Sequence, residues 1–451
     1  MRIELNHAIE RMHAVNDKIN AVVTEIEVNN EERTGKLANV PVVLKDNINT
    51  KGIRTTASSR ILDNYVPVYN ATIVEKLQAE GAAFIAKASM DELGMGGTNK
   101  NAYTGAVHNP YDLDRIAGGS SGGSAALVAA GCTPLAIGTD TGDSIRKPAA
   151  YCGVIGVKPT YGRISRYGVI PYASSLDHVG YFTTNVQDAA LALEVLAGRD
   201  DHDLTSSQLP VENYSENLNG DLTGKTIAVL KTVNDAISNE TFKTTFNDLM
   251  EKVKAAGATV KEVEMPVQYM ELIAPIYEAI ANAEAAANHA NLDGIRFGMR
   301  EAGESVDEVM TNSRTKGFSS AVRERFVVGS YSLFDENQDR ILRKAQKLRR
   351  LLVEAYAKCF EEADGVLCLA APTVAPLIET ETIGTEFIEE HMQLANFSGY
   401  PSMTLPLGKE NGLPFGMSLT CRPFEEQTMF NLASGLEALT GLKDQCLEGE
   451  I

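Results

Sequence analysis

Strand-like and helix-like stretches alternate along this chain, and that alternation limits the folds open to it. Apolar runs typical of strands lie at residues 41–44, 82–86, 226–230 and 259–263, and a helix-like segment separates the two members of each pair. The last two runs are separated by apolar residues at i, i+4, i+7 and i+11, namely Phe242, Phe246, Leu249 and Val253. Strands that alternate with helices build α/β layers, so we predict an α/β fold.

The length of the chain leaves the number of domains open. With 451 residues, 44% of them hydrophobic and 22% charged, the composition is globular and suits one large α/β domain or two or three smaller ones. The polar stretch 198–224 is either a linker or a surface excursion. We predict that residues 276–360 are rich in helix and that the acidic segment 380–390 is exposed.

Composition excludes several classes of function. The six cysteines show no CxxC pairing, which is typical of reduced thiols, so we expect a cytoplasmic protein. No apolar run is long enough to span a membrane, and the N-terminus lacks the apolar segment of a signal peptide. A net charge of −19 argues against direct nucleic-acid binding, although a partner subunit could supply a basic face.

A glycine-rich segment at 118–124 has four glycines in seven residues, which permits close approach of the backbone to a ligand. A flexible linker is a poor alternative, because the apolar run 125–130 follows at once and is typical of a buried helix. A Walker-type phosphate loop is excluded, because no Gly-Lys-Ser/Thr sequence closes the segment. Ser120 lies inside this segment, and a second segment rich in glycine and hydroxyl groups, 138–146, contains Ser144.

A serine hydroxyl becomes a nucleophile when a base takes its proton. None of the seven histidines lies in a glycine-rich segment, and the nearest, His108 and His178, have no motif around them. Lys45 closes the apolar run 41–44, and a lysine can act as the base when burial lowers its pKa. The alternative is a lysine at the end of a strand whose amine reaches solvent.

Lys45, the segment 118–124 and the segment 138–146 resemble the amidase signature family in both sequence and spacing. The resemblance implies an amide hydrolase that works through an acyl-enzyme. Its catalytic residues would be Lys45, Ser120 and Ser144, arranged as a Ser–cis-Ser–Lys triad with Ser144 as the nucleophile.

The resemblance also implies a fold. It predicts a large mixed β-sheet covered by helices on both faces, and a cis peptide bond between Gly119 and Ser120. A single domain would span 1–451, with a catalytic core at about 35–190 and a helix-rich substrate side at about 270–360.

Supporting roles around the nucleophile follow from the same resemblance. Preorganised N–H donors stabilise the negative charge of a tetrahedral intermediate. The backbone N–H groups of the oxyanion hole would belong to Thr141, Gly142, Asp143 and Ser144. The residues expected to support the loops are Ser121, Asp140 and Arg146.

Two positions depart from the family pattern. Asp143 stands where the family usually has glycine, and Lys147 stands where it usually has glutamine. Aspartate is one of the few residues besides glycine that tolerate a positive φ, and on that ground we expect position 143 to accept it. An inward carboxylate would repel the developing oxyanion, so we expect the Asp143 carboxylate to point away.

Further segments are similar to the A subunits of glutamyl-tRNA(Gln)/aspartyl-tRNA(Asn) amidotransferases, and they lie at 90–96, 149–168, 173–177 and 292–298. In that group the A subunit hydrolyses glutamine and sends ammonia through a tunnel to a B subunit, while a small C subunit clamps the two. The resemblance therefore implies a heterotrimer, with tRNA bound through the B subunit. It implies no cofactor or metal in this chain, and ATP and Mg²⁺ in the partner.

A glutamine site is also implied. Tyr277 and Arg325 match family positions, and a family aspartate for the α-amino group falls near Glu389. A guanidinium at position 325 would bind the α-carboxylate through two hydrogen bonds. The alternative for Arg325 is an ordinary arginine on a helix surface.

Three functions stay open on the sequence alone. The segment 292–298, which generic amidases lack, favours a glutaminase subunit. Lys147 and the missing N-terminal helix favour a stand-alone amidase that acts on a small carboxamide. A catalytically weakened scaffold subunit has Asp143 as its only support. Whether the tRNA is for Gln, Asn or both is not encoded in any of these motifs.

Overall fold

A large mixed β-sheet organises the computed structural model, which describes residues 1, 3–29, 32–380, 387–447, 449 and 451. The strands are β1 Val22–Glu25, β2 Pro41–Lys45, β3 Ala83–Ala88, β4 His108–Asn109, β5 Asp112–Ile116, β6 Leu135–Asp140, β7 Ile155–Lys158, β8 His178–Thr183, β9 Thr226–Leu230, β10 Thr259–Val263, β11 Gly365–Leu369, β12 Ser402–Glu410 and β13 Leu413–Thr420.

Within the described residues the sheet has eleven strands in the order β1-β3-β2-β6-β8-β7-β12-β13-β11-β9-β10, and β4 pairs with β5 in a separate hairpin. The strands β3, β2 and β6 are parallel to one another, as are β11, β9 and β10, and the other neighbours are antiparallel.

The helices are α1 Leu5–Ile19, α2 Thr72–Ala79, α3 Gly122–Ala129, α4 Arg146–Cys152, α5 Val186–Leu196, α6 Lys231–Ala236, α7 Glu240–Ala255, α8 Val267–Met270, α9 Ile273–Asn288, α10 Val306–Gly317, α11 Ser320–Leu333, α12 Asp335–Gln338, α13 Leu342–Lys358, α14 Phe387–Glu390, α15 Leu394–Ser398 and α16 Glu426–Thr440. No helix of the described part of the chain is both long and apolar enough to cross a bilayer.

Helices cover both faces of the sheet. Side chains alternate between the faces of a strand, and β2 shows the consequence. Val43 packs in one buried cluster with Met12 of α1, whereas Val42 and Leu44 pack in another with Leu77 of α2. The predicted α/β fold with a mixed, doubly covered sheet is confirmed.

The parallel strands β2 and β6 determine where the candidate site lies in the fold. Leu44 pairs with Ile137 in their register, so Lys45 at the end of β2 lies beside the last residues of β6. The carboxyl ends of neighbouring parallel strands are where α/β proteins hold functional groups. The glycine-rich segment ends in α3, which is buried along its whole length.

The predicted elements agree with the observed ones. The runs 41–44, 226–230 and 259–263 lie in β2, β9 and β10, and 82–86 overlaps β3. Helices α9 to α13 confirm the helix-rich region.

The stretch 198–224 is tied to the body of the protein by Arg163, which donates to the carbonyls of Leu209 and Pro210 at 3.0 and 2.8 Å. These contacts favour a surface excursion over a linker. Most of the segment 380–390 falls outside the described residues.

Candidate active site

Lys45 ends β2 with its amine in the protein interior. The residue is fully buried, and Nζ donates hydrogen bonds to Ser120 Oγ and Ser121 Oγ at 2.8 Å each and to Thr139 Oγ1 at 2.9 Å. Burial lowers the pKa of Lys45 to about 7, because removal from water destabilises the charged ammonium more than the neutral amine. Lys45 is therefore not the solvent-exposed lysine of the alternative, and a substantial fraction of it is neutral near pH 7.

Ser120 lies where the glycine-rich segment turns into α3. The Gly119–Ser120 peptide bond is cis, as the resemblance implied. A Cβ added to Gly119 would lie 2.0 Å from Asp91 Oδ2, so only glycine fits at this position. The same carboxylate accepts the Asn99 N–H at 2.9 Å, and the Asp91 N–H donates to the Ser120 carbonyl at 3.1 Å. Asp91 therefore holds the Ser120 carbonyl, and its carboxylate leaves no room for a side chain at position 119.

Ser121 joins the glycine-rich segment to the segment that follows β6. Its hydroxyl donates to the Thr139 carbonyl at 3.0 Å, and its N–H donates to the Ser144 carbonyl at 3.2 Å. Ser144 is itself buried. Lys45 is thus bonded to Ser120 and Ser121, and Ser121 connects this cluster to Ser144 through the Ser144 backbone carbonyl.

A buried ion pair supports the segment that contains Ser144. Arg146 Nη2 lies 3.0 Å from Asp140 Oδ1, and both side chains are fully inaccessible to solvent. Arg146 also donates to the Gly142 carbonyl at 2.7 Å and to Asn396 Oδ1 at 2.6 Å, and Asn396 donates to Asp140 Oδ1 at 2.8 Å. The guanidinium therefore fixes the backbone directly before the predicted nucleophile. The prediction that Arg146 braces this loop against Asp140 agrees with this geometry.

Thr141 is held from the other side. Its hydroxyl donates to Asp177 Oδ1 at 2.7 Å, and Asp177 also accepts the N–H groups of Tyr172 and Ala173. Burial raises the pKa of Asp177 to about 6. With Thr141 held by Asp177 and Gly142 by Arg146, the N–H groups predicted for the oxyanion hole lie on a braced backbone.

Asp143 and Lys147, the two departures from the family pattern, form an ion pair. Asp143 Oδ2 lies 2.5 Å from Lys147 Nζ, and the side chains are 12% and 7% exposed. Asp143 is not among the described residues with a positive φ, so the expected reason for its acceptance is wrong. Asp143 is instead paired with a cation, Lys147, which lies four residues further along the chain in the first turn of α4. That the carboxylate points away from the oxyanion position stays a prediction.

A cavity of about 210 Å³ lies next to this pair. Its wall includes the predicted substrate residues Tyr277 and Arg325, together with Asp143, Lys147 and Tyr172. Arg325 is half-buried, and its Nη1 donates to the Tyr172 hydroxyl at 3.4 Å. Burial raises the pKa of Tyr277 well above its usual value, and the nearby Tyr172 and Asp143 add to the rise. Arg325 is therefore not an ordinary surface arginine, because it faces a cavity beside the serine cluster.

The third predicted substrate residue cannot be placed, because the side chain of Glu389 lies outside the described residues. Its neighbour Glu390 does line the cavity and accepts a hydrogen bond from Gln393. A carboxylate is thus present in this wall, one position from the predicted one.

A second cavity, of about 290 Å³, flanks the cluster on the side of Thr139, Thr141 and Asp177. It shares Tyr172 with the first cavity and reaches the exposed residue Leu204. Thr139, which accepts a hydrogen bond from the Lys45 amine, is therefore part of the wall of this second cavity.

Several residues of the site were given no role from the sequence, although Thr139, Asp91 and Asp177 lie in segments that resemble the family. Thr139 bonds the Lys45 amine, Asp91 holds the cis bond, and Asp177 and Asn396 brace the loop around Ser144. The carboxylates and the amide come from segments remote from the serines. The spacing of Asp143 and Lys147 is the one available signal, since i and i+4 are neighbours on a helix.

Comparison with known proteins agrees with this geometry. The family model described as Amidase matches residues 2–430. The chain belongs to the amidase family. Its match extends over the sheet, both serine segments and most of the C-terminal helices.

Several relatives within the amidase family carry the same name. The chain is 38% identical over 448 residues to the A subunit of the glutamyl-tRNA(Gln) amidotransferase of Sulfurihydrogenibium sp. (strain YO3AOP1), covering 96% of this chain and 92% of that relative. It is 40% identical over 448 residues to the A subunit of the glutamyl-tRNA(Gln) amidotransferase of Carboxydothermus hydrogenoformans, with the same coverage of 96% and 92%.

Solved structures of the amidase family have the same fold. The A subunit of the glutamyl-tRNA(Gln) amidotransferase of Thermotoga maritima matches with a TM-score of 0.82 and 32% identity, over 96% of this chain and 90% of that one. A peptide amidase from Stenotrophomonas maltophilia matches with a TM-score of 0.82 and 28% identity, over 97% and 93%. The predicted family membership is confirmed.

Proposed function

We propose that this chain is the glutaminase subunit of a tRNA-dependent amidotransferase. In this proposal it hydrolyses glutamine to glutamate and ammonia, and passes the ammonia to a partner that amidates Glu-tRNA(Gln), Asp-tRNA(Asn) or both. The observation that carries the chemistry is the buried Lys45 amine, 2.8 Å from the Ser120 hydroxyl. The names of the relatives, at 38–40% identity over nearly the whole chain, support the substrate.

In the proposed mechanism the neutral Lys45 amine takes a proton from Ser120 Oγ, while Ser120 takes the proton of Ser144 Oγ. Ser144 then attacks the side-chain carboxamide carbon, and the carbonyl oxygen becomes an oxyanion. Collapse of this intermediate returns the proton from Lys45 through Ser120 to the departing nitrogen, which leaves as ammonia. Water, deprotonated by the same relay, cleaves the acyl-enzyme to glutamate.

The loop after β6 would stabilise the oxyanion. Thr141, Gly142, Asp143 and Ser144 are consecutive, and their N–H groups belong to a backbone fixed by Asp177 and Arg146. Donors that are fixed before the reaction cost no reorganisation during it, and each contributes about 3–4 kcal/mol in well-studied oxyanion holes.

The cavity beside Asp143 would hold the amino-acid end of glutamine. Arg325 would bind the α-carboxylate, with Tyr277 next to the reacting amide. Glu390 lines the same wall and supplies the kind of group that binds an α-ammonium.

Partner subunits complete the proposal. A B subunit would bind tRNA and carry the ATP- and Mg²⁺-dependent activation, and a C subunit would clamp the two larger subunits in a cytoplasmic heterotrimer. The net charge of −19 supports this division, because the chain has no general excess of basic residues for tRNA.

A stand-alone amidase is the second candidate. It is favoured by the similarity to the peptide amidase, which matches as well in TM-score as the Thermotoga protein does.

Reconstitution separates these candidates. The chain is mixed with B and C subunits, tRNA and ATP, and amidated tRNA is measured with glutamine or ammonium chloride as the nitrogen source. The glutaminase subunit forms a complex and supports amidation from either source. A stand-alone amidase forms no complex and yields no amidated tRNA, and a scaffold subunit supports amidation from ammonium chloride alone.

A further inference from the structure

The wall of the substrate cavity contains a buried ion pair one residue from the proposed nucleophile. Asp143 Oδ2 and Lys147 Nζ are 2.5 Å apart, and both side chains are almost fully buried. The Lys147 N–H also donates to the Asp143 carbonyl at 2.9 Å, so the two residues are bonded through both backbone and side chain.

Among the described residues, the cation bonded to this carboxylate is Lys147, and the nearby guanidinium groups have other contacts. Arg146 bonds Asp140, the Gly142 carbonyl and Asn396. Arg325 is bonded to the Tyr172 hydroxyl.

A charge at position 143 matters because of what forms beside it. The Asp143 N–H belongs to the set proposed to stabilise the oxyanion on the carbon that Ser144 attacks. In a buried site of low dielectric, a fixed negative charge so close to a developing one opposes the reaction. Removing Lys147 would leave the negative charge of Asp143 buried and without a compensating positive charge.

We propose that Lys147 is a positioning residue for the oxyanion loop. Its ammonium neutralises Asp143 and ties the carboxylate to the first turn of α4, so that the loop presents N–H groups rather than a net negative charge. The two departures from the family pattern are then linked, because the charge of Lys147 compensates the charge of Asp143. This inference rests on the proposed role of Ser144.

The test uses a probe that does not depend on the natural substrate. A fluorophosphonate reacts with an activated serine. The serine oxygen attacks phosphorus while its proton passes to the proposed Lys45 relay, fluoride leaves, and the phosphoryl oxygen occupies the oxyanion hole. The rate of labelling is measured on the full chain for the wild type and for Lys147→Gln, Asp143→Asn, the double variant and Lys147→Arg. Ser144→Ala identifies the labelled residue.

We expect Lys147→Gln to be labelled about 100-fold more slowly, a loss similar to that of one oxyanion donor. Asp143→Asn and the double variant should stay within about tenfold of the wild type, since neither retains an unpaired carboxylate. Lys147→Arg keeps the charge and should restore most of the rate. A purely structural role for Lys147 would predict instead that the double variant is as slow as Lys147→Gln.

Two results would overturn the inference. One is a Lys147→Gln protein labelled within about threefold of the wild type, and the other is losses that simply add in the double variant. If Lys147→Gln does not fold, the neutral double variant decides, because slow labelling of that protein also contradicts the inference. Labelling of Ser144→Ala at the wild-type rate would instead contradict the proposed nucleophile, and labelling of Ser144 without glutamine hydrolysis would contradict only the proposed substrate.

Discussion

The amine of Lys45 lies 2.8 Å from the hydroxyl of Ser120, inside a cluster from which solvent is excluded. Lys45 comes from the end of a strand and Ser120 from the loop before a buried helix, 75 residues later. The sheet fixes the position of Lys45, and the braced glycine-rich loop fixes the position of Ser120. An amine in this environment can exchange a proton with a hydroxyl near neutral pH.

The first prediction concerns the three catalytic positions. Ser144→Ala should lower glutamine hydrolysis by about 10⁴-fold or more, because it removes the atom that forms the acyl-enzyme. Lys45→Ala and Ser120→Ala should each be comparably damaging, and the double variants should be no worse than the singles, since the residues act as one unit. Steady-state kinetics with glutamine measure this, and near-normal activity of Ser144→Ala would rule out the proposed triad.

The second prediction concerns pH. Burial lowers the pKa of Lys45 to about 7, and only the neutral amine accepts a proton. Activity should therefore fall as pH drops through about 7, reaching a slope of one decade per pH unit, and level off above it. The profile of kcat/KM for glutamine between pH 5.5 and 8.5 measures this limb.

Asp177 provides the control for that limb, because burial raises its pKa to about 6 and it also titrates in this range. In Asp177→Asn the limb should persist but move to lower pH, because the Asp177 carboxylate is one of the charges that raise the pKa of Lys45. A limb that disappears with Asp177→Asn would assign it to the carboxyl group and not to Lys45.

The sequence predicted the parts of the site that depend on local pattern. The apolar run 41–44 fixes the end of β2, and with it the position of Lys45. The glycine-rich composition of 118–124 marks the loop around Ser120, because a Cβ at Gly119 has no room. Asp140 and Arg146 are close in sequence, and their side chains form a buried ion pair.

Contacts between distant segments could not be predicted in this way. Asn396 bonds Asp140 across 256 residues, and no local pattern records that approach. The predicted substrate carboxylate shows a different limit of sequence-based prediction, because the sequence indicates Glu389 whereas Glu390 lines the cavity. Neighbouring residues on a helix point about 100° apart, so an uncertainty of one position decides which side chain enters a cavity.

The third prediction concerns the buried pair of Asp140 and Arg146. Arg146→Met leaves a carboxylate without its partner in the protein interior, which costs about 3–5 kcal/mol in the free energy of unfolding. The matched control is Arg343→Met on α13, where the pair with Asp339 has a distance of 2.7 Å and side chains that are 58% and 82% exposed. An exposed pair contributes within about 1 kcal/mol. Urea unfolding measures both, and equal losses would show that the buried pair has no special role.

The fourth prediction concerns the choice of glutamine. Arg325 faces the cavity beside Asp143 and is proposed to bind the α-carboxylate, so Arg325→Ala should lower kcat/KM for glutamine by 100-fold or more, corresponding to about 3 kcal/mol. Arg323, on the same helix α11 but exposed, is the control, and Arg323→Ala should leave the kinetics unchanged. In the complex with B and C subunits, Arg325→Ala should lose amidation from glutamine and keep it from ammonium chloride, because the partner's site is untouched. If both nitrogen sources fail together, Arg325 acts on assembly and not on glutamine. If neither fails, the α-carboxylate is bound elsewhere.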